Sequence, residues 1–142
     1  MSLQLLNYPV SHSLTLTSPG VSEPSFVAKL SEDIIAEDPT SAKGPPTFHG
    51  FSKNGTTRGQ LVYVGRGTKE EFDSMVAEGF DFTGKIVIAQ YSGSFRGLKV
   101  QQAARVGAVG CLIYSDPAAD GNTTVEAGLA PYPQGPARQP SS

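Results

Sequence analysis

The chain has 142 residues, a formal net charge of -2 and a pI near 5.6. That length suits one domain of about 100–200 residues, and the scattered Lys and Arg offer no basic face for nucleic acid. No run approaches the ~20 apolar residues of a membrane span, and the opening MSLQLLNYPV lacks the basic start and long apolar core of a signal peptide.

In chain order, residues 13–17 (SLTLT) alternate polar and apolar, which predicts a strand with one exposed face. Between Pro19 and Pro46 the chain is rich in Ser, Pro, Asp and Glu, and its only helical hint is Phe26, Val27, Leu30 and Ile34. This stretch reads as an extended arm with one turn of helix. Asn54 and Asn122 each open an N-x-T triplet, the acceptor for glycosylation in the secretory pathway.

Order begins at Gly59. Residues 60–64 (QLVYV) predict a strand, and Thr68 then caps a helix with Glu71 as its reciprocal partner. Phe72, Met75 and Val76 give that helix one buried stripe, and Gly79 ends it. Residues 86–89 (IVIA) are uniformly apolar and predict a central strand. A second helix is expected from about Leu98 to Val106, with Val100, Ala103 and Ala104 on one face, and Gly107 closes it. Residues 109–115 (VGCLIYS) then form another buried strand. Strand, helix, strand, helix, strand is the rhythm of a small α/β layer. Beyond Asp116 the chain is again rich in Gly and Pro, and without a closing element it reads as truncated.

Most catalytic chemistries lack their parts. A serine nucleophile needs a base beside it, yet the histidines are His12 and His49, both in the irregular N-terminal part, and no Gly-x-Ser-x-Gly turn accompanies them. A zinc site needs three or four converging ligands. Cys111 is the single cysteine and reads as a small buried hydrophobe, and His-Glu-x-x-His is absent. Asp116, Asp120, Asn122 and Glu126 depart from calcium-loop spacing and read as a solvated turn. Gly65, Gly67 and Gly79 do not make a dinucleotide fingerprint, and the 93–97 segment lacks the Lys-Ser/Thr of a phosphate loop. The expectation is therefore no catalytic residue, no metal ligand and no cofactor in this chain.

Arg96, in SFRGL at residues 94–98, is the residue with a sharper alternative. It falls after the central strand and at the start of a helix, where ligand-facing loops of parallel sheets lie. A guanidinium grips a carboxylate through two parallel hydrogen bonds. The other reading is a structural ion pair or a solvated side chain, and the pattern alone leaves both open.

The ordered string GQLVYVG, TKEEF, GKIVIAQY, SFRGLKV, GAVGCLIYSDPAADG and YPQGPAR resembles the protease-associated (PA) domain of the glutamate carboxypeptidase II-like zinc peptidases, a group that includes the transferrin receptors. The flavour of its repeats resembles the fungal members. The likeness is strongest from Gly59 onward and extends weakly back through PTFHGFS and the NYPV and SLTLTSP opening. It implies an α/β fold, a swivelling β/β/α domain over residues 49–142, C-terminally incomplete, preceded at 1–48 by a strand and extended arm.

The resemblance also implies a role: a non-catalytic lid over the cleft of a peptidase domain that carries two zinc ions and a glutamate base. Carried over residue by residue, Arg96 would hold the C-terminal carboxylate of an acidic peptide, Phe95 and Gly97 would set its loop, and Lys99 would begin the helix. The chain stops before any zinc ligand or catalytic acid of the family can be matched, so zinc and hydrolysis would belong to the parent. Implied partners are that peptidase domain, a peptide with an acidic C-terminus and a second copy of the parent in a homodimer. The parent would be membrane-anchored, vacuolar or in the secretory pathway. A free-standing PA module that binds or supports without peptidase activity is the alternative.

Overall fold

The computed structural model describes residues 9–31, 34–44, 47–50, 52–116 and 124–129. The chain divides into two compact units, Met1–Asn54 and Gly55–Ser142.

In the N-terminal unit, β1 (Thr15–Leu16) pairs antiparallel with β2 (Phe26–Val27), Thr15 opposite Val27 and Leu16 opposite Phe26. Ser25 helps hold the pair, since its amide and its hydroxyl both donate to the Leu16 carbonyl, at 2.8 and 3.0 Å. The helical hint at Phe26 and Val27 is corrected here. An aromatic and a β-branched residue suit a pleated strand, and the helical turn lies instead at Pro39–Lys43 as a 3-10 helix. Asp38 caps that turn by accepting from the Thr40 amide at 3.0 Å and the Thr40 hydroxyl at 2.6 Å, and proline supplies a pre-set φ at its start.

The second unit is built on a three-stranded parallel sheet in the order β3 (Leu61–Tyr63), β4 (Ile86–Gln90), β5 (Gly110–Tyr114). Helix α1 (Lys69–Ala77) leads from β3 toward β4, and α2 (Arg96–Arg105) leads from β4 to β5. Along β4, Val87 and Ala89 are fully buried while Ile86, Ile88 and Gln90 are half-buried. The strand is central, as its composition suggests, and its apolar run hides an ordinary two-residue alternation.

The core comprises Val62, Val64, Phe72, Phe82, Val87, Ala89 and Ala103. Phe72 and Phe82 meet with ring centroids 5.4 Å apart in a tilted geometry favoured by aromatic quadrupoles. Burying a side chain such as Phe72 contributes about 1.5–3 kcal/mol, so these rings are the main anchors of α1 and of the link into β4.

Two details of the helix stripes differ from expectation. Val76 is 47% exposed, leaving Phe72 and the half-buried Met75 as the inward residues of α1. On α2, which begins two residues before the expected Leu98, Val100 and Ala104 face outward; Lys99 and Ala103 are the buried pair, with Val106 packed beside them. Residues four apart share a helix face, and the face that meets the sheet starts on a lysine. A hydrophobic-pattern reading passes over that residue.

Gly67 shows how close the packing is. Its φ is +61°, and a Cβ there would stand 3.0 Å from the Ala89 Cβ and 3.4 Å from the Lys99 stem. Gly79, at φ +88°, has open space around the same position. Gly67→Ala should destabilise the unit by about 1–3 kcal/mol from backbone strain, with a further packing loss that Gly79→Ala lacks. Urea denaturation checks this; equal midpoints for the two variants would contradict the packing assignment.

Candidate functional site

In an open parallel sheet, ligands meet the carboxyl ends of the strands, where chain leaves for the helices. Here that edge carries the 64–68 loop after β3, the 91–95 loop after β4, and Ser115 and Asp116 after β5.

The first loop is made by its own residues. Gly65 and Gly67 take left-handed φ values of 57° and 61° and bracket Arg66. The Glu71 carboxylate reaches back to accept from the Arg66 amide at 3.0 Å and the Thr68 amide at 2.8 Å. The Thr68 hydroxyl in turn accepts from the Glu71 amide at 3.3 Å, completing the capping box expected from the sequence. A Cβ on Gly65 would collide with Glu71 Oε1, so glycine, carboxylate and loop path are one arrangement. Partial burial pushes the Glu71 carboxyl up, but the two amides, the Thr68 hydroxyl and the nearby Lys99 charge outweigh it and hold it below its usual value.

The second loop is tied to both neighbouring strands. Gln90 donates its amide to the Gly65 carbonyl at 2.8 Å and its side chain to Asp116 Oδ2 at 2.9 Å, and the Tyr91 amide donates to the Tyr114 carbonyl at 2.7 Å. Gly93, at φ +79°, lies under the Arg66 side chain, whose Cδ and Cβ would stand 3.0 and 3.1 Å from any Cβ there. The Ser92 hydroxyl oxygen is buried and makes no hydrogen bond among the described residues.

Lys99 joins the two loops. It is fully buried, and its Nζ donates to the Arg66 carbonyl, to the Ser92 carbonyl at 2.6 Å and to Ser94 Oγ at 3.3 Å. Three donors on one ammonium meet three acceptors on two segments. Burial pushes the lysine below its ordinary value, while the Glu71 carboxylate pulls the other way. Burial raises the Cys111 thiol, and the Lys99 charge offsets part of that rise.

Arg96 is the first residue of α2, at the helix start as the sequence suggests, and it is half-buried. Its guanidinium lies 5.1 Å from the centroid of the Phe95 ring and donates to Tyr91 Oη at 3.5 Å, the outer limit of a hydrogen bond. Phe95 occupies the N-cap position, is 63% exposed and supplies no side-chain oxygen to the first amides of α2. Gly97 leaves room for that ring, since a Cβ at 97 would stand 2.9 Å from Phe95 Cε1.

The structure therefore gathers Phe95, Arg96, Gly97 and Lys99 on one edge of the sheet, with Lys99 in the second turn of α2 and inside the core rather than at the helix start. Asn54 is exposed at the end of the N-terminal unit, and Asn122 lies outside the described residues. His12 and His49 belong to the N-terminal unit, and among the described residues no three His, Cys, Asp or Glu side chains come together as metal ligands. No described helix is long and apolar enough to cross a membrane. Sequence reasoning missed Arg66. Its signal is the glycine bracket Gly65-Arg66-Gly67, which repeats after β3 the glycine-rich arginine turn that follows β4.

A family model described as the PA domain matches residues 56–138, more than half of the chain. This chain belongs to the PA domain family. It is 52% identical over 139 residues to a probable glutamate carboxypeptidase of Arthroderma benhamiae, an alignment covering 96% of this chain and 19% of that protein. It is 37% identical over 112 residues to a probable glutamate carboxypeptidase of Arabidopsis thaliana, covering 78% and 16% of the two chains. Against the vacuolar protein sorting-associated protein 70 of Saccharomyces cerevisiae it is 36% identical over 118 residues, covering 82% and 14%. The PA chain thus spans less than a fifth of the length of these relatives. The mixed α/β fold of the described residues, with two α-helices and two sheets, is consistent with that family.

The Glu71 arrangement carries a pH signature. Its folded carboxyl lies below the ordinary 4.5, so its contribution to stability is present above about that pH and is lost as pH falls through the lower folded value. Wild type should exceed Glu71→Gln in stability at about pH 6, and the gap should shrink as the pH is taken below 4.5. Paired denaturation curves across that range check it; a gap that widens in acid would be the wrong sign.

Proposed function

We propose that this PA chain is the substrate-recognition lid of a glutamate carboxypeptidase-like zinc peptidase, with Arg96 taking the C-terminal carboxylate of an acidic peptide. The observation that carries this reading is the placement of Arg96: half-buried, on the first turn of a helix with no side-chain cap, at the carboxyl edge of a parallel sheet. An arginine and the amides at a helix start both favour an anion there. Similarity to proteins named as probable glutamate carboxypeptidases supplies the substrate class.

Hydrolysis would come from a peptidase domain outside this chain, which would hold the zinc ions and the general base. Among the described residues no three His, Cys, Asp or Glu side chains converge as zinc ligands would. This chain's part is to bind and orient the carboxylate. Partner assignments follow from the same reading: the peptidase domain, an acidic peptide and a second copy of the parent. The parent's setting would be a membrane-anchored, vacuolar or secretory one, where Asn54 and Asn122 could be glycosylated. A second reading, a PA module with a sorting or structural role and no link to hydrolysis, is favoured by the likeness to a yeast protein named for vacuolar sorting.

A guanidinium at the protein surface binds weakly, since surface ion pairs contribute only ~0–1 kcal/mol. A peptide ending in free glutamate should therefore bind this chain with a dissociation constant on the order of a millimolar or weaker. It should shift the amide resonances of residues 91–98, while the same peptide with an amidated C-terminus should not. Arg96→Ala should abolish the difference. Equal shifts from both peptides, or full retention by the variant, would sink the recognition reading.

A further inference from the structure

The recognition loop rests on one buried cation. Lys99 has no exposed surface, yet its ammonium reaches the backbone of two different loops: the Arg66 carbonyl after β3 and the Ser92 carbonyl after β4, together with Ser94 Oγ. Removing an ammonium from water is unfavourable unless each proton finds an acceptor. An apolar residue would fill the same space on α2 without that penalty, so its chemistry is spent on holding the loops.

The held atoms surround the candidate site. Ser92 and Ser94 belong to the segment that delivers Phe95 and Arg96, and Tyr91, one residue earlier, carries the hydroxyl that receives the Arg96 guanidinium. The other held residue, Arg66, lays its side chain across Gly93 in that same segment. Glu71 fixes the Arg66 amide from the opposite side. Each loop is thus restrained once by its own local contacts and once by the shared ammonium. A Cβ on Gly67 would stand 3.4 Å from the Lys99 stem, which places the lysine beside the first loop's glycine bracket.

We propose that Lys99 is the positioning residue of the carboxylate site: it clamps the 64–68 and 91–95 loops together and so sets where Arg96 is presented. The proposal rests on the reading of Arg96 as a carboxylate ligand, and it assigns Lys99 no contact with the ligand. Arg66, held by the same clamp, moves with Arg96 as part of one rim.

The test uses the 142-residue chain labelled with nitrogen-15, as wild type, Lys99→Met, Ser94→Ala and Arg96→Ala. Lys99→Met keeps the apolar stem and removes the charge; Ser94→Ala removes one acceptor and leaves the core intact. Backbone relaxation of residues 65–67 and 91–95 reads loop order without any ligand. Titration with a glutamate-terminated peptide and its C-terminal amide reads the site. In wild type the two loops should be as ordered as the strands. Lys99→Met should keep dispersed resonances in α1 and β4, loosen both loops together and weaken the free-acid peptide by about tenfold, leaving the amide unchanged.

A purely structural lysine would leave the loops as ordered as before or leave free-acid binding at the wild-type level, and either result overturns the proposal. Should Lys99→Met fail to fold, Ser94→Ala decides: loosening of 91–95 with a loss of free-acid binding supports the clamp, and wild-type behaviour in both overturns it. Loss of binding in Arg96→Ala alongside full binding in Lys99→Met would leave the recognition reading standing and remove the clamp. Full binding by Arg96→Ala would remove both.

Discussion

The charge of Lys99, placed where a helix meets a sheet, is the constraint that joins the two loops at the carboxyl edge of that sheet. A buried ammonium costs several kcal/mol in desolvation, and here each of its donors is used on a neighbouring segment. Leaving the Arg66 and Ser92 carbonyls without that donor would cost about 1–3 kcal/mol each if they stayed buried. The β3–α1 and β4–α2 connections are therefore not independent surface loops. They share a proton donor; Gly67 leaves room for the Lys99 stem and Gly93 for the Arg66 side chain.

The two helices that start at this edge are finished differently. Helix α1 satisfies its first turn from within, through Thr68 and Glu71, at an interaction of about 0.5–2 kcal/mol for such caps. Helix α2 places an aromatic at its N-cap position and an arginine at its first residue, where the helix dipole disfavours a cation. The chain thus follows the local rule at one helix and departs from it at the next, on the same edge of the sheet, and such departures are the kind expected at functional sites. Under the proposed function that departure serves carboxylate recognition, by a guanidinium that lies over the Phe95 ring and donates to Tyr91 Oη.

Much of this was legible in the sequence. The capping box of α1 could be read directly because Thr68 and Glu71 stand at the spacing that the motif requires, and the three strands of the parallel sheet announced themselves as apolar runs. The buried face of α2 could not be read that way. Periodicity counts apolar residues, and the stripe on α2 is Lys99 with Ala103, so the pattern found Ala103 but added Val100 and Ala104, one step around the helix, and passed over Lys99. The N-terminal pair β1–β2 was half legible: SLTLT alternates, but Phe26 and Val27 are too short a run to separate strand from helix until the partner strand is known. Arg66 escaped for a simpler reason, since a loop arginine gains meaning only when a second loop is seen beneath it.

Direct observation of the Lys99 ammonium tests the central claim most closely. In a nitrogen-15 spectrum tuned to lysine side chains at neutral pH, a clamped ammonium should give its own resonance, slow to exchange with water. It should show couplings across hydrogen bonds to the carbonyl carbons of Arg66 and Ser92. A Lys99 signal that exchanges as fast as those of the solvent-facing lysines, with no such coupling, would contradict the account.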